Sequence, residues 1–210
     1  MLLQRIEQHF IDSADLKYQL APTLSSPIQT SVEAMLACVT SGGKVLACAD
    51  RATLAFVPYF VDKFVGQFER NRPELAAMSL LALGDDLSVT YARQVRALGQ
   101  SSHVLLAMSQ SGEDPAVQAA IHAAHERDMV VVALAGVHSS ALSLILRDTD
   151  ILIEVGHDRP ARIQEVHLLV LNLDLRFKPK EIWCPHGIAN SQLNSQRTIV
   201  PTSNKMATKS

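Results

Sequence analysis

Apolar positions along this chain fall into alternating helical and strand-length patterns. Leu3, Ile6, Phe10 and Ile11 sit at helical spacing within residues 2–20. Ser26-Pro27 reads as the opening of a second helix, with serine as N-cap and proline at the first helical position. Ile28, Val32, Met35, Leu36 and Val39 form its apolar stripe, and Gly42-Gly43 ends it. Lys44-Val45-Leu46-Ala47-Cys48-Ala49 is a short apolar run of buried-strand length. Thr53 to Arg70 predicts a helix with Phe56, Phe60, Phe64 and Phe68 at every fourth position, a stripe suited to a core or a subunit interface. Pro58 shortens or kinks its first turns.

Leu75 to Leu83 is a second strand and Ser88 to Leu98 a helix stopped by Gly99. Val104 to Met108 is a third strand, and Asp114-Pro115 opens a helix running to Arg127. Met129 to Ala135 and Ile151 to Val155 are the fourth and fifth strands. The last helix covers about 160–177, with Ile163, Val166, Leu169, Val170 and Leu173 inward. Strands alternating with helices predict an α/β fold, a three-layer α/β/α sandwich on a five-stranded parallel sheet. Residues 1–42 form helices outside the sheet that serve oligomerisation, 43–177 the α/β domain, and 178–210 an aperiodic, polar, largely disordered tail.

Composition narrows the function classes. Nineteen Lys+Arg against 21 Asp+Glu give a net charge of −2, which argues against direct nucleic-acid binding. No apolar run reaches the ~18–20 residues of a membrane span. The first residues carry charge where a signal peptide is apolar, so a cytoplasmic location is expected. Cys38, Cys48 and Cys184 are widely spaced and read as free thiols, with no metal site and no cofactor implied. His122 and His125 lack a partner motif and read as surface histidines.

In an open parallel sheet, ligands bind beyond the carboxyl ends of the strands. Two loops lie there: Asp50-Arg51-Ala52-Thr53 and Ser109-Gln110-Ser111-Gly112-Glu113-Asp114. The second combines hydroxyls, a glycine and a helix start, the makings of an anion cradle, or of a plain capped turn. Glu113 and Asp114 compete with a ligand anion for the same N–H groups.

The strand and loop from Val104 to Gly112 resemble the signature of the sugar isomerase (SIS) domain family. Arg162-Ile163-Gln164-Glu165-Val166-His167 resembles the R-I-Q-E-x-H helix of its phosphoheptose isomerase group. The stretches from Phe68 to Pro73 and from Tyr91 to Gly99 are similar to that group too, and the resemblance covers roughly residues 1–177. It implies a homotetramer or homodimer and a phosphosugar site at Thr53, Ser109, Gln110, Ser111, Asp114 and Gln164. The group has two branches: sedoheptulose 7-phosphate isomerases, and a non-catalytic protein that binds the replication initiator DnaA.

In the isomerases a His and a Glu after the first strand, and a Gln and a His on the last helix, carry the chemistry, and several members bind zinc there. The resemblance puts Tyr59, Lys63, Gln164 and Asn172 at those positions, so only the glutamine is kept. The family's G-N-G-[GT]-S loop is Ala49-Asp50-Arg51-Ala52-Thr53 here, and S-T-S-G-N-S is Ser109 to Asp114. Asn172 matches the DnaA-binding branch, and Ile182-Trp183 resembles its partner-contact pair. The resemblance therefore implies a non-catalytic regulator of chromosomal replication initiation with DnaA as partner. The alternative is a phosphosugar-binding protein or a diverged phosphoheptose isomerase.

Overall fold

The computed structural model describes residues 1–69, 71–81, 87–136 and 140–176. The strands are β1 (Val45–Ala49), β2 (Ala77–Ser79), β3 (Val104–Ser109), β4 (Val130–Gly136) and β5 (Ile151–Val155). All pairings are parallel, in the order β2-β1-β3-β4-β5. The helices are α1 (Leu2–Thr40), α2 (Phe56–Val65), α3 (Leu87–Leu98), α4 (Pro115–Glu126), α5 (Ser140–Ile145) and α6 (Pro160–Asp174). Every residue of β1 and β3 is buried, as strands covered on both faces must be. Alternation sends Val45, Ala47 and Ala49 into one core with α1, α2 and α6, while Leu46 and Cys48 enter a second core with α3 and α4. The expected three-layer parallel sandwich is the fold.

The amino-terminal part departs from expectation. In place of two helices there is one of 39 residues, with Pro22 and Pro27 inside it. Each proline removes one helical hydrogen bond. Pro22 is exposed, so water reaches the carbonyl of exposed Tyr18 that it leaves open. Beyond the prolines, Leu24, Ser31, Met35 and Cys38 are buried, and this packing holds the helix continuous. The second half of α1 thus belongs to a helical layer of the sandwich, while Leu3, Phe10 and Ile11 on its first half stay exposed.

Other elements follow the local chemistry. Asp114 caps α4, its carboxylate accepting from the Ala116 and Val117 N–H groups. Phe60 and Phe64 are fully buried with ring centroids 5.1 Å apart, so this part of the phenylalanine stripe is core. His122 is exposed, but His125 is buried, its Nε2 2.7 Å from Asp150 Oδ2, which corrects its reading as a surface residue. Asp150 also accepts from the Val131 and Arg147 N–H groups, a partner set that lies too far along the chain to be read from the helix alone. Among the described residues no helix is long and apolar enough to cross a membrane. Ile182, Trp183 and the tail lie outside the described residues.

Candidate functional site

The strand order places β1 between β2 and β3, so the chain switches direction across the sheet between β1 and β3. The loops after these two strands meet at that crevice. Asp50 N–H donates to the Met108 carbonyl at 2.9 Å, tying the first loop to the end of β3. Asp50 Oδ1 accepts from the Thr53 N–H (2.9 Å) and the Thr53 hydroxyl (2.7 Å). Its Oδ2 accepts from the Ser109 hydroxyl (3.1 Å) and the Gln110 N–H (2.6 Å). Ser109 Oγ in turn accepts from the Gly112 N–H, and Ser111 Oγ from the Glu113 N–H. Gly112 has φ +74°, the left-handed conformation in which the tight turn favours glycine.

The third wall is the start of α6. Gln164 Nε2 lies 3.1 Å from the Ala52 carbonyl and 3.3 Å from Gln110 Oε1, so one amide joins both loops to the helix. Gly136 closes the base of the second loop: its N–H donates to the Gln110 carbonyl at 3.1 Å. Behind the crevice, buried His167 has Nε2 3.1 Å from the Ala135 carbonyl. Burial pulls its imidazole below the ordinary range, so the neutral ring donates from Nε2, and Nδ1 has no partner among the described residues. Tyr91 secures the end of β1 by donating to the Ala49 carbonyl at 3.0 Å.

Farther along α2 and α6, the Tyr59 hydroxyl donates to Asn172 Oδ1 at 2.7 Å. Lys63 pairs with Asp62 at 2.9 Å, and that hydrogen bond holds its ammonium protonated above the usual lysine range. A phenol, an ammonium and two amides do not fit zinc, which takes thiolate, imidazole or carboxylate ligands.

Thr53, Ser109, Gln110 and Gln164 thus meet in one crevice, with Ser111 and Asp114 on its second loop. Tyr59 and Asn172 meet each other, while Lys63 is engaged with Asp62. Two features escape the sequence reading. One is the Asp50 carboxylate, which takes four donors at once; an acid placed just after a strand at the switch point was the available signal. The other is a polar seam between α1 and α6, where Arg162 bonds the His9 carbonyl and Glu165, and Glu165 also accepts from Ser13. Burial pushes the Glu165 carboxyl up, but the Ser13 and Arg162 hydrogen bonds outweigh it and hold the group below the ordinary range.

Comparison with known proteins gives consistent matches. A family model described as "SIS domain" matches residues 8–136. A phosphoheptose isomerase of Methylibium petroleiphilum is 50% identical over 181 residues, covering 82% of this chain and 90% of that protein. One from Dechloromonas aromatica is 41% identical over 180 residues, covering 81% and 92%. The solved phosphoheptose isomerase of Neisseria gonorrhoeae superposes with a TM-score of 0.76 at 36% identity, covering 83% of this chain and 97% of that one. The Francisella tularensis enzyme gives 0.75 at 32% identity, covering 83% and 97%.

These matches overturn the expected non-catalytic regulator acting through DnaA, since the relatives are named as isomerases. The geometry supplies the physical reason for the error. Asn172 answers the Tyr59 hydroxyl across the α2–α6 gap. The asparagine read as matching the regulator branch thus has an intramolecular partner for its carbonyl oxygen.

Proposed function

Because this chain belongs to the SIS domain family, in its phosphoheptose isomerase group, we propose that it binds a phosphorylated sugar of the sedoheptulose 7-phosphate class and interconverts its ketose and aldose forms. The observation that carries the reading is the convergence at the switch point of Thr53, Ser109, Gln110 and Gln164 from three separate elements. Hydroxyls and N–H groups suit a phosphate, and amides suit sugar hydroxyls. Such an isomerisation moves a proton between neighbouring carbons and another between their oxygens. Between α2 and α6 the Tyr59 oxygen keeps lone pairs free while its hydrogen is held by Asn172, and on the exposed side of α2 the Asp62 carboxylate, paired with Lys63, can accept a proton. Lys63 stays protonated and serves as a cation for a developing enediolate rather than as a base.

Calorimetry with sedoheptulose 7-phosphate, paired with NMR of solvent deuterium entering the sugar carbon that gains the proton, tests this. Binding with deuterium uptake is expected, and Gln164→Ala should weaken binding by about tenfold. Binding without uptake would reduce the protein to a phosphosugar receptor. No binding by the folded protein would sink the reading.

A homo-oligomer belongs to the same proposal. Phe10 is 76% exposed and Leu2, Leu3 and Ile11 lie open beside it, an apolar surface suited to a second copy of α1. Light scattering should find an assembly larger than one chain, and Phe10→Asp should shift it toward monomer. A monomeric wild type would refute this.

A further inference from the structure

We infer that the Asp50 carboxylate is an internal stand-in for the ligand's phosphate, and so a specificity-determining residue that sets how tightly this cleft takes an anion. The inference rests on the phosphosugar reading above and concerns the same crevice. Four donors converge on this one carboxylate: the N–H and hydroxyl of Thr53, the hydroxyl of Ser109 and the N–H of Gln110. They come from both loops at the switch point, and Asp50 is only 8% exposed, so its charge is held by the protein rather than by water. A carboxylate and a phosphate make the same demand on such groups: both are oxyanions that accept short, charge-assisted hydrogen bonds.

Donors already given to one anion are not open to another, and a second negative charge beside the first is repelled in a partly water-excluded site. The neighbouring helix start is also satisfied from within, because Asp114 takes the Ala116 and Val117 N–H groups. No arginine or lysine bonds the Asp50 oxygens among the described hydrogen bonds, so the balancing partial charges come from the cradle itself. An incoming phosphate must therefore displace Asp50 from these donors, or bind beside it at a cost in affinity. A neutral side chain of similar size would free the charge of the site while leaving the sugar-facing amide of Gln164 in place.

The test is calorimetry on the full chain, wild type against Asp50→Asn, with sedoheptulose 7-phosphate, sedoheptulose and inorganic phosphate as three separate probes. Circular-dichroism melts establish that each protein is folded. The variant should bind sedoheptulose 7-phosphate and inorganic phosphate at least about tenfold more tightly, with sedoheptulose unchanged. Equal affinity of both proteins for sedoheptulose 7-phosphate would overturn the role of Asp50 and leave the phosphosugar reading intact. A wild type that binds nothing beside a variant that binds phosphate would uphold the role of Asp50 and remove the wild-type reading. If neither folded protein binds either phosphate probe, both fall. Should Asp50→Asn fail to fold, Asp50→Ser, smaller and also neutral, reads the same quantity. Failure of both variants to fold would make the carboxylate an obligatory fold element and overturn the inference.

Discussion

Wild type will lose stability relative to Asp174→Asn between about pH 5 and pH 8. Asp174 is fully buried between α6 and α1, where the Ser31 hydroxyl bonds its Oδ1 and its Oδ2 has no partner among the described residues. Burial pushes its carboxyl up from 3.8 to about 7, against the smaller lowering effect of the Ser31 bond. Below the unfolded value both states hold the proton, and the neutral group contributes its full stability. As pH rises toward 7 the unfolded chain releases the proton while the folded chain keeps it, so stability drops; above 7 the loss is complete. The gap is worth on the order of 4 kcal/mol, about 3 of it between pH 5 and 8. For a chain of this size that is roughly 5–10 °C in melting temperature.

Asparagine keeps the acceptor for Ser31 and does not titrate. Its buried amide N–H groups lack the partner that Oδ2 also lacked, at about 1–3 kcal/mol. The variant should therefore start below wild type at pH 5 and approach it by pH 8. Melts at matched protein concentration across this range decide the matter, and parallel curves for the two proteins would refute it. The range avoids the acid region where Glu165, held below its ordinary value, acts with the opposite sign, and the opposing rise from His167 and His103, both held below the ordinary imidazole range by burial, is common to the two proteins and cancels in their difference.

Gly136→Ala is the second large effect. A Cβ there would lie 2.4 Å from the Gln110 carbonyl oxygen and 2.8 Å from Ile163 Cδ1. The nearer obstacle is backbone, so the Gln110 loop has to move. That movement pulls the Gln110 N–H from Asp50 and the Gln110 side chain from Gln164. Overpacking costs about 1–3 kcal/mol and each of the two lost hydrogen bonds about 1, for a total of roughly 3–5 kcal/mol. Urea denaturation should show that loss, and calorimetry a loss of sedoheptulose 7-phosphate binding. Wild-type stability together with wild-type affinity would show that the loop has room to yield.

The sheet was legible because its central strands are uninterrupted apolar runs, and burial on both faces demands such runs. The caps were legible at Asp114-Pro115, where an acceptor and a proline act over three residues. The same rule misled at Ser26-Pro27, because tertiary packing of Leu24, Met35 and Cys38 outweighs two missing helical hydrogen bonds. The short helix α5 was not predicted, since six residues carry too little periodicity. The crevice was legible from the hydroxyls of Ser109 and Ser111 and from the strand ends. Its electrostatics were not. The sequence reading assigned the competing charge to Glu113 and Asp114, and only the meeting of two loops 59 residues apart shows Asp50 receiving the donors. His125 was misread for the same reason, its partner being 25 residues away.

The bond between Tyr59 and Asn172 also bears on how this protein can evolve. The two residues lie 113 positions apart and satisfy each other at 2.7 Å. Replacing either alone strands a phenol or an amide in a half-buried gap, while replacing both together need not. These sites are therefore expected to be epistatic. Histidine at 59 or at 172 should be penalised singly and tolerated as a pair, so the path between this chain and a relative with histidines at both positions passes through a fitness valley one substitution wide.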